Sequence, residues 1–520
     1  MTLTGRSIVG FSRGSETTET FTAYDPATGK AVEPQFYSAT LGELNKAVEL
    51  ASEARIPYGK ISGKDKAVFL RRIADNIEAL GDTLIKRASL ETGLPNARFV
   101  GERGRTCMQL RMFADLVEQG SWLDARLDTP NPQRSPIPKP DIRSMLRPLG
   151  TVAVFCASNF PLAYSVAGGD TASALAAGCP VIVNAHFAHP GTAELVGSAI
   201  TEAVKTCGLP EGVFSLVFSV GYDIGQSLVK HDHIKAVGFT GSRRGGRALM
   251  DIAAARQEPI QVYAEMSSVN PIFVLPSAMR ENSESILSGL HTSVITGAGQ
   301  FCTKPGIVVL PETEQTGGFT KSFGELISST AKHPLLTKGI RDNFENLTKQ
   351  RNSEEISASN DLSGFDVNPS MFQTGAAEFL SDQSLSDEIF GPTTLFVRSD
   401  KHEQLLEIAR EMEGQLTATV HGTPEDLVEY ADLIAILETK VGRLIFNGYP
   451  TGVEVGDAIV HGGPYPATSD SRTTAVGTRA IERFCRYVCY QNFPNAALPD
   501  ELKDENPLGI RRMIDGELKI

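Results

Sequence analysis

Two kinds of hydrophobic pattern divide the chain. Apolar residues recur at helical spacing in residues 44–54 and again in residues 66–91. Thr40 and Glu43 precede the first of these stretches with the spacing of a capping box, which predicts that a helix begins there. From residue 151 the pattern changes to short continuous apolar runs, which are typical of buried strands.

The region after residue 151 alternates strand-like and helix-like stretches. The predicted strands are TVAVFCAS, CPVIVNA, VFSLVFS and IKAVGFTG, at residues 151–158, 179–185, 213–219 and 234–241. Strands separated by helix-length stretches form parallel βαβ units, so a doubly wound α/β sheet is predicted. Such a sheet binds its ligands at the carboxyl ends of its strands.

Length and composition limit the possible functions. A chain of 520 residues is too long for one core and predicts roughly two to four domains. Apolar residues make up 41% and charged residues 21%, as in an ordinary globular protein. No apolar run approaches the roughly 20 residues that span a bilayer, so no membrane partner is expected. The net charge of −13 argues against nucleic-acid binding.

The seven cysteines indicate free thiols. Their number is odd and no C-x-x-C pair occurs, which argues against a disulfide framework and against a structural zinc site. The first twenty residues lack the apolar core of a signal peptide, so a cytoplasmic location is expected. KHDHIKAV, residues 230–237, has metal-like spacing but leads directly into a predicted strand, and no metal is expected.

One cysteine lies on a loop that offers it no obvious packing role. GAGQFC, residues 297–302, ends in Cys302, and Pro305 stops any regular element shortly afterwards. The two glycines pack poorly, and Gln300 is expected to face solvent. Most cysteines are small buried hydrophobes, but a free thiol on such a loop is a candidate nucleophile.

Polar residues at predicted strand ends supply what a nucleophile needs. Asn159 follows the first predicted strand, and Glu265 stands between two apolar runs, although a turn-capping asparagine and an ion-paired glutamate are equally good explanations. Gly241 and Ser242 form a turn and a cap at a helix start, which suits a phosphate. Together the pattern allows Cys302 to attack a carbonyl, Asn159 to stabilise the oxyanion with the Cys302 backbone N–H, and Glu265 to activate water.

Five motifs, in order, resemble the aldehyde dehydrogenase superfamily over nearly the whole chain. They are SNFP, FTGS with Gly246, EMSSVNP, GQFC and EIFGP. The resemblance implies a Rossmann-type parallel-sheet cofactor domain, an α/β catalytic domain and a small oligomerisation element. It implies oxidation of an aldehyde to an acid through a thiohemiacetal and a thioester on Cys302. It also places Glu388 on the nicotinamide ribose and Phe390 beside the nicotinamide.

The segment NAHF, residues 184–187, departs from the family pattern. Asn184 replaces a lysine that normally binds the adenosine ribose, and Phe187 replaces a glutamate that often selects NAD. Without that carboxylate the 2′-phosphate of NADP meets no repulsion, so NADP is weakly favoured and NAD remains open. Nearby positive or protonatable character comes from His186, His189, Arg243 and Arg244.

The C-terminal third carries the signal for the substrate. Residues 447–455 and 461–477 resemble the branch that oxidises α-ketoglutarate semialdehyde (2,5-dioxovalerate), with a fatty aldehyde as the alternative. A carboxylate at the far end of the substrate needs a cation or several N–H donors, whereas a fatty chain needs an apolar tunnel. The candidate cations are Arg105, Arg111 and Arg472, each of which is also explained by a surface ion pair, and the candidate lining residues are Phe155, Phe160 and Phe301.

Two rival functions follow from the same residues. A cofactor-independent cysteine hydrolase or thioesterase would use Cys302 with a histidine base, but no histidine belongs to a recognisable triad motif. A binding protein that had lost activity would lack part of the catalytic set, whereas Cys302, Glu265 and Asn159 are all present.

The resemblance also implies a domain organisation. Residues 1–130 and 147–264 would form the cofactor domain, and residues 265–480 would form the catalytic domain. Residues 131–146, as a projecting hairpin, and residues 481–520 would form the bridging element, through which a homodimer or homotetramer assembles.

Overall fold

The computed structural model describes residues 2–351 and 353–519. Within them the α-helices are α1 (Leu41–Gly59), α2 (Gly63–Ala79), α3 (Gly81–Thr92), α4 (Asn96–Gln119), α5 (Gly169–Ala177), α6 (Pro190–Thr206), α7 (Asp223–Lys230), α8 (Arg243–Ala254), α9 (Pro276–Ile295), α10 (Thr316–Ser329), α11 (Lys338–Gln350), α12 (Ala376–Ser381), α13 (His402–Glu411), α14 (Pro424–Glu429) and α15 (Ala431–Glu438). The strands are β1 (Ile8–Val9), β2 (Ser12–Arg13), β3 (Thr20–Asp25), β4 (Lys30–Tyr37), β5 (Arg126–Asp128), β6 (Ile142–Pro148), β7 (Thr151–Phe155), β8 (Val181–Asn184), β9 (Phe214–Val217), β10 (Ile234–Thr240), β11 (Gln261–Glu265), β12 (Ile272–Val274), β13 (Ile307–Pro311), β14 (His333–Pro334), β15 (Glu354–Ser357), β16 (Asp366–Val367), β17 (Ser370–Gly375), β18 (Thr393–Ser399), β19 (Gln415–His421), β20 (Val441–Phe446), β21 (Cys485–Gln491), β22 (Arg512–Ile514) and β23 (Glu517–Lys519).

The first sheet is the doubly wound sheet that the sequence predicts. Its order is β11-β10-β7-β8-β9-β1-β2. The first five strands in this order run parallel to one another, while β1 and β2 add an antiparallel edge. Side chains alternate between two cores: Val152 and Val154 join the core on one face, and Ala153 and Ile182 join the core on the other. Helices therefore cover both faces of the sheet.

The second sheet is also mostly parallel and lies in the following part of the chain. Its order is β15-β17-β18-β13-β12-β19-β20, and only β15 runs antiparallel among its described strands. Phe273 and Val309 face one core, whereas Ile272 and Val308 face another. A parallel sheet of this kind is buried on both faces, which explains its runs of Ile, Val and Leu.

A third sheet joins distant parts of the chain, in the order β21-β6-β5-β22-β23. The predicted projecting hairpin is wider than residues 131–146, because its paired strands are β5 and β6 and a bridge between Asn131 and Lys139 closes it. β21 pairs along its full length with β6 and lies at the edge of the sheet. The last strands, β22 and β23, were not predicted from the sequence.

The predicted helix starts are confirmed by their caps. Thr40 accepts a hydrogen bond from the Glu43 backbone at 3.1 Å, and Glu43 accepts one from the Thr40 backbone at 2.8 Å. Ser242 caps α8 by accepting from the Gly245 backbone at 3.2 Å. No α-helix within the described ranges is long and apolar enough to cross a membrane.

Candidate active site

Cys302 lies between the end of α9 and the start of β13, at the end of a tight turn. Gly297, Ala298 and Gly299 all have positive φ, at 60°, 59° and 65°. A Cβ atom on Gly299 would lie 2.2 Å from the backbone oxygen of Gly391, so a side chain cannot be accommodated there. The turn therefore brings the backbone before Cys302 against a second loop.

The loop is buried and tied down, contrary to the expectation that Gln300 faces solvent. Gln300 is 2% exposed, and its side-chain oxygen accepts a hydrogen bond from the Leu336 backbone at 2.9 Å. The Asn159 amide donates to the Gln300 carbonyl at 2.9 Å. The Asn270 amide donates to the carbonyls of Cys302 and Lys304 at 2.8 and 3.0 Å. The side-chain amides of Asn159 and Asn270 thus satisfy backbone carbonyls of the loop that carries Cys302.

Cys302, His461 and Glu265 meet in a compact cluster. His461 Nε2 lies 3.7 Å from Cys302 Sγ and 2.8 Å from Glu265 Oε1, and the three donor atoms all lie within 4.8 Å of one another. The side chains of Glu265 and His461 are 3% and 1% exposed, and Cys302 is half-buried. The structure therefore brings two of the predicted residues together with a histidine that was not predicted.

An irregular segment delivers His461 to this cluster. Thr468 forms an isolated bridge with Glu265, the last residue of β11. The His461 backbone N–H donates to Thr474 at 2.9 Å, and its carbonyl accepts from Ala475 at 2.8 Å. The segment thus continues the sheet edge without forming a strand of its own.

Sequence reasoning missed His461 because it lies in no regular element. The available signal was its position before two glycines in the segment 461–477, which was used only to identify a substrate branch. No histidine belongs to a recognisable triad motif, but the structure brings His461 Nε2 within 3.7 Å of Cys302 Sγ. In a hydrolase triad, however, the carboxylate binds one ring nitrogen and the nucleophile faces the other. Here Nε2 makes both contacts.

Burial and charge set the protonation states of the cluster. Burial alone would raise the pKa of Glu265, but the charge and hydrogen bond of His461 outweigh it and lower that pKa. Burial, followed by the negative charge of Glu265, raises the pKa of the Cys302 thiol well above its usual value, and Arg105 opposes this. Glu265 is thus ionised at neutral pH, whereas the thiol of the free protein keeps its proton.

The three predicted arginines have different surroundings. Arg105 lies over the ring of Tyr164 at 5.2 Å and donates weakly to its hydroxyl at 3.4 Å, while its Nη1 is buried with no partner among the described residues. Arg111 instead binds Asp75 and Glu78. Arg472 is 85% exposed and binds Asp470. The last two already have carboxylate partners, which favours the alternative explanation of a surface ion pair for each.

The three predicted aromatic residues do not all lie in the same place. Phe160 and Phe301 contact each other edge to face at 5.1 Å, and Phe160 contacts Tyr164 at 5.2 Å. Phe155 instead packs against Phe239 at 6.4 Å in the core of the first sheet, so it does not line the mouth of the site as expected. Tyr164 was missed, and its ring lies 5.9 Å from that of His461.

The carboxyl end of the first sheet fits a dinucleotide. A Cβ on Gly246 would lie 2.6 Å from Met266 Sδ, and one on Gly241 would lie 2.7 Å from the Phe239 ring, so both glycines permit close packing at the start of α8. The first turn of that helix is partly occupied, because the Gly245 N–H donates to Ser242 at 3.2 Å and the Arg243 N–H donates to Ser267 at 3.3 Å. Phe187, in the segment that follows β8, is 54% exposed.

Some of the side chains expected to select the cofactor already have hydrogen-bond or ion-pair partners within the protein. Asn184 accepts a hydrogen bond from Ser219 at 3.0 Å. Arg243 is held by both carboxylate oxygens of Glu413, at 2.7 and 3.0 Å. Burial, with the charge of His189, lowers the pKa of His186 to about 3, so His186 is neutral at physiological pH. The positive character expected from His186 and Arg243 is therefore small.

The loop of Glu388 and Phe390 lies beside the thiol loop. The Lys304 ammonium, two residues after Cys302, donates to the carbonyls of Ile389 and Thr393 at 3.0 and 2.8 Å. Burial raises the pKa of Glu388 to about 7, while Ser267 and Lys304 oppose the shift. Phe390 is half-buried. Lys304 thus ties the loop that carries Glu388 to the segment that carries Cys302.

Comparison with known proteins gives consistent matches. The model of the aldehyde dehydrogenase family matches residues 13–465. The chain is 47% identical to alpha-ketoglutaric semialdehyde dehydrogenase 2 of Azospirillum brasilense, over 99% of this chain and 100% of the relative. It is 43% identical to alpha-ketoglutaric semialdehyde dehydrogenase of Acinetobacter baylyi, over 93% of each. An NAD+ complex of a Bacillus cereus aldehyde dehydrogenase superposes with a TM-score of 0.80 at 20% identity, covering 94% of this chain and 96% of that one, which shows the shared fold.

Proposed function

The chain belongs to the aldehyde dehydrogenase family, and we propose that it oxidises α-ketoglutarate semialdehyde to α-ketoglutarate with a nicotinamide cofactor. The observation that carries the chemistry is the cluster of Cys302, Glu265 and His461, with Asn159 tied to the same loop. The observation that supports the substrate is the identity to the two α-ketoglutaric semialdehyde dehydrogenases over nearly the whole chain.

The first step is attack of the Cys302 sulfur on the aldehyde carbon. The thiol must lose its proton, and Glu265 is the ionised base beside it. The aldehyde oxygen gains negative charge as the carbon–sulfur bond forms, and the second N–H of the Asn159 amide would stabilise it. The product of this step is a thiohemiacetal on Cys302.

Oxidation to the thioester requires a hydride acceptor, and a bound nicotinamide supplies that chemistry. The residues that would hold the dinucleotide are Ser242, Gly246, Asn184, Phe187, Glu388 and Phe390. Among them, Glu388 offers a carboxylate to the sugar hydroxyls, and the start of α8 would present the positive end of its dipole to a phosphate.

Hydrolysis of the thioester returns the free enzyme. Glu265, once it has released the proton of the first step to solvent, accepts a proton from water as the water attacks the acyl carbon, and the Cys302 thiolate leaves and takes up that proton. His461 donates to the Glu265 carboxylate before this step and so keeps the base ionised and oriented at 2.8 Å. A cofactor-independent hydrolase is less well supported, because His461 uses one nitrogen for both the thiol and the carboxylate.

We assign the far carboxylate of the substrate to Arg105, supported by Arg443. Both arginines interact electrostatically with Cys302 and Tyr164. Arg443 donates through Nη2 to the carbonyls of Pro450 and Gly452, but its Nε is buried without a partner among the described residues. Buried N–H groups that lack acceptors favour an anionic ligand.

The experiment compares kcat/KM for α-ketoglutarate semialdehyde, succinic semialdehyde and decanal. We expect the first to be preferred, and Arg105→Met to reduce its kcat/KM by roughly 10–100-fold, the value of a charged hydrogen bond of about 1.5–3 kcal/mol. Decanal should be affected little, and Arg472→Met, at an exposed arginine, is the matched control. Preference for decanal by tenfold or more would instead support a fatty-aldehyde dehydrogenase.

We propose that both nicotinamides are used, with a modest preference for NADP. The support is Phe187, which leaves no carboxylate at the position where a 2′-phosphate would be repelled. Phe187→Glu should reduce kcat/KM with NADP more than with NAD. A hundredfold preference of the native chain for NAD would contradict the proposal.

We further propose a cytoplasmic homodimer or homotetramer. β21 lies at the edge of the third sheet, and Tyr487 on it is 59% exposed. An edge strand with an exposed aromatic side chain is suited to a second subunit. Light scattering that returned the mass of one chain would contradict the oligomer.

A further inference from the structure

We propose that Cys302, His461 and Glu265 also form a binding site for a zinc-class divalent cation in the cofactor-free protein, and that this cation reversibly blocks the thiol. The proposal rests on the three donor atoms, which lie within 4.8 Å of one another. It does not depend on which aldehyde the enzyme oxidises.

The donor set suits zinc better than a hard cation. A thiolate sulfur, an imidazole nitrogen and a carboxylate oxygen are the ligand types of zinc sites, whereas calcium and magnesium prefer oxygen ligands throughout. Three protein ligands leave a fourth position for water, as in zinc sites that are not closed.

One of the donor distances already matches a tetrahedral site, and a second is shorter than such a site requires. With metal–ligand bonds of about 2.0–2.3 Å, tetrahedral ligands lie about 3.3–3.8 Å apart. The distance from Cys302 Sγ to His461 Nε2 is already 3.7 Å. The distance from His461 Nε2 to Glu265 Oε1 is 2.8 Å, because a proton lies between them, and it must open slightly when a cation replaces that proton.

An unsatisfied atom supports a cation at this position. Glu265 Oε2 is buried and has no hydrogen-bond partner among the described residues. A buried carboxylate oxygen without a partner is costly, and a divalent cation beside Glu265 would satisfy it. Arg105, which also faces Cys302, opposes binding but is held over the Tyr164 ring.

Binding would exclude catalysis by occupying both reacting groups. The cation takes the sulfur lone pair, displaces the thiol proton to solvent, and engages the carboxylate that would activate water. The inhibition should therefore compete with the aldehyde. It should also slow alkylation of Cys302, because the metal-bound sulfur is no longer free to react.

The test titrates the reduced, metal-free and cofactor-free protein with ZnCl2 by calorimetry, and with CoCl2 by absorption spectroscopy. We expect one site per chain, a sulfur-to-cobalt charge-transfer band, and full recovery of Cys302 alkylation after a chelator is added. Cys302→Ser should abolish the band. His461→Gln should weaken zinc binding by at least the roughly 10–100-fold that loss of a supporting group costs a metal site.

Two matched controls separate this site from accidental binding. His402→Gln removes the exposed histidine paired with Asp432, a histidine–carboxylate pair, and Cys489→Ser removes an exposed thiol; both should bind zinc as the native chain does. Absence of a stoichiometric site, or equal zinc affinity in His461→Gln and the native chain, would overturn the proposal. Neither outcome bears on the dehydrogenase activity, which is measured separately without zinc.

Discussion

The four polar side chains of the site come from two structurally different regions. Glu265 is the last residue of β11, and Asn159 lies in the short segment that follows β7, both in the first sheet's part of the chain. Cys302 and His461 lie on irregular segments that begin after α9 and β20. Strand ends fix a side chain through a hydrogen-bonded ladder, whereas an irregular segment needs separate buried contacts to do so.

This difference explains which residues the pattern of the sequence could reveal. A strand end is marked by the apolar run before it, so Asn159 and Glu265 stand out without knowledge of the fold. Cys302 was recognised through its glycine-rich loop and the motif around it. The glycines after His461 were used only to identify a substrate branch, and its position depends on hydrogen bonds to Thr474 and Ala475 that only the folded chain shows.

The largest effect on activity is expected for Cys302, which lies on an irregular segment. Cys302→Ala should reduce dehydrogenase turnover by roughly 10⁴-fold or more, because no other group can form the thioester. Cofactor affinity, measured by calorimetry, should change little. Cys489→Ala, at an exposed cysteine of β21, should keep full activity. A Cys302→Ala protein that retained its turnover would disprove the assignment of the nucleophile.

The next largest effect is expected for Glu265, the general base at the end of β11. Glu265→Gln should slow thioester hydrolysis by about 10²–10⁴-fold, the usual contribution of a general base, and slow hydride transfer less. A rapid-mixing experiment should then show a burst of reduced cofactor followed by a slow steady state. Glu258→Gln, at an exposed glutamate paired with Lys235, should show no such burst. Equal slowing of both phases would place Glu265 in the first step alone.

A smaller loss of activity is expected for Asn159, which follows β7. Asn159→Ala should lower kcat by about 10²–10³-fold, because it removes a donor to the developing oxyanion. The amide also supports the Gln300 carbonyl, so thermal unfolding of the variant should be measured in parallel. An increase in KM with unchanged kcat would indicate that Asn159 only binds the substrate.

The smallest effect is a shift in the pH profile of activity. It tests whether His461, on an irregular segment, controls the ionisation of Glu265, at a strand end. His461 lowers the pKa of Glu265, and Glu265 acts as a base only when it is ionised. In His461→Gln that pKa should rise, so activity should be lost at a higher pH as the solution is acidified. The pH profile of hydrolysis-limited kcat measures the shift, with His402→Gln as the control. An unchanged acid limb would show that His461 does not influence the base.

Much of the fold follows from local patterns, and the remainder depends on long-range contacts. The capping box at Thr40 and the strand–helix alternation from residue 151 predicted α1 and the first sheet, because both are encoded within a few residues. Burial of Gln300 was not predictable, since its partner Leu336 lies 36 residues away. Phe155 was misassigned because a strand end can face the sheet core as well as a ligand.

The contact between the thiol loop and the Glu388 loop has a consequence for motion. Gly299 and Gly391 approach too closely for a Cβ on Gly299, and Lys304 ties the same two loops through the carbonyls of Ile389 and Thr393. Neither loop can open alone without breaking buried hydrogen bonds. The amides of both should therefore exchange with deuterium as one cooperative unit, so that opening at the carboxylate of Glu388 also releases the backbone of Cys302.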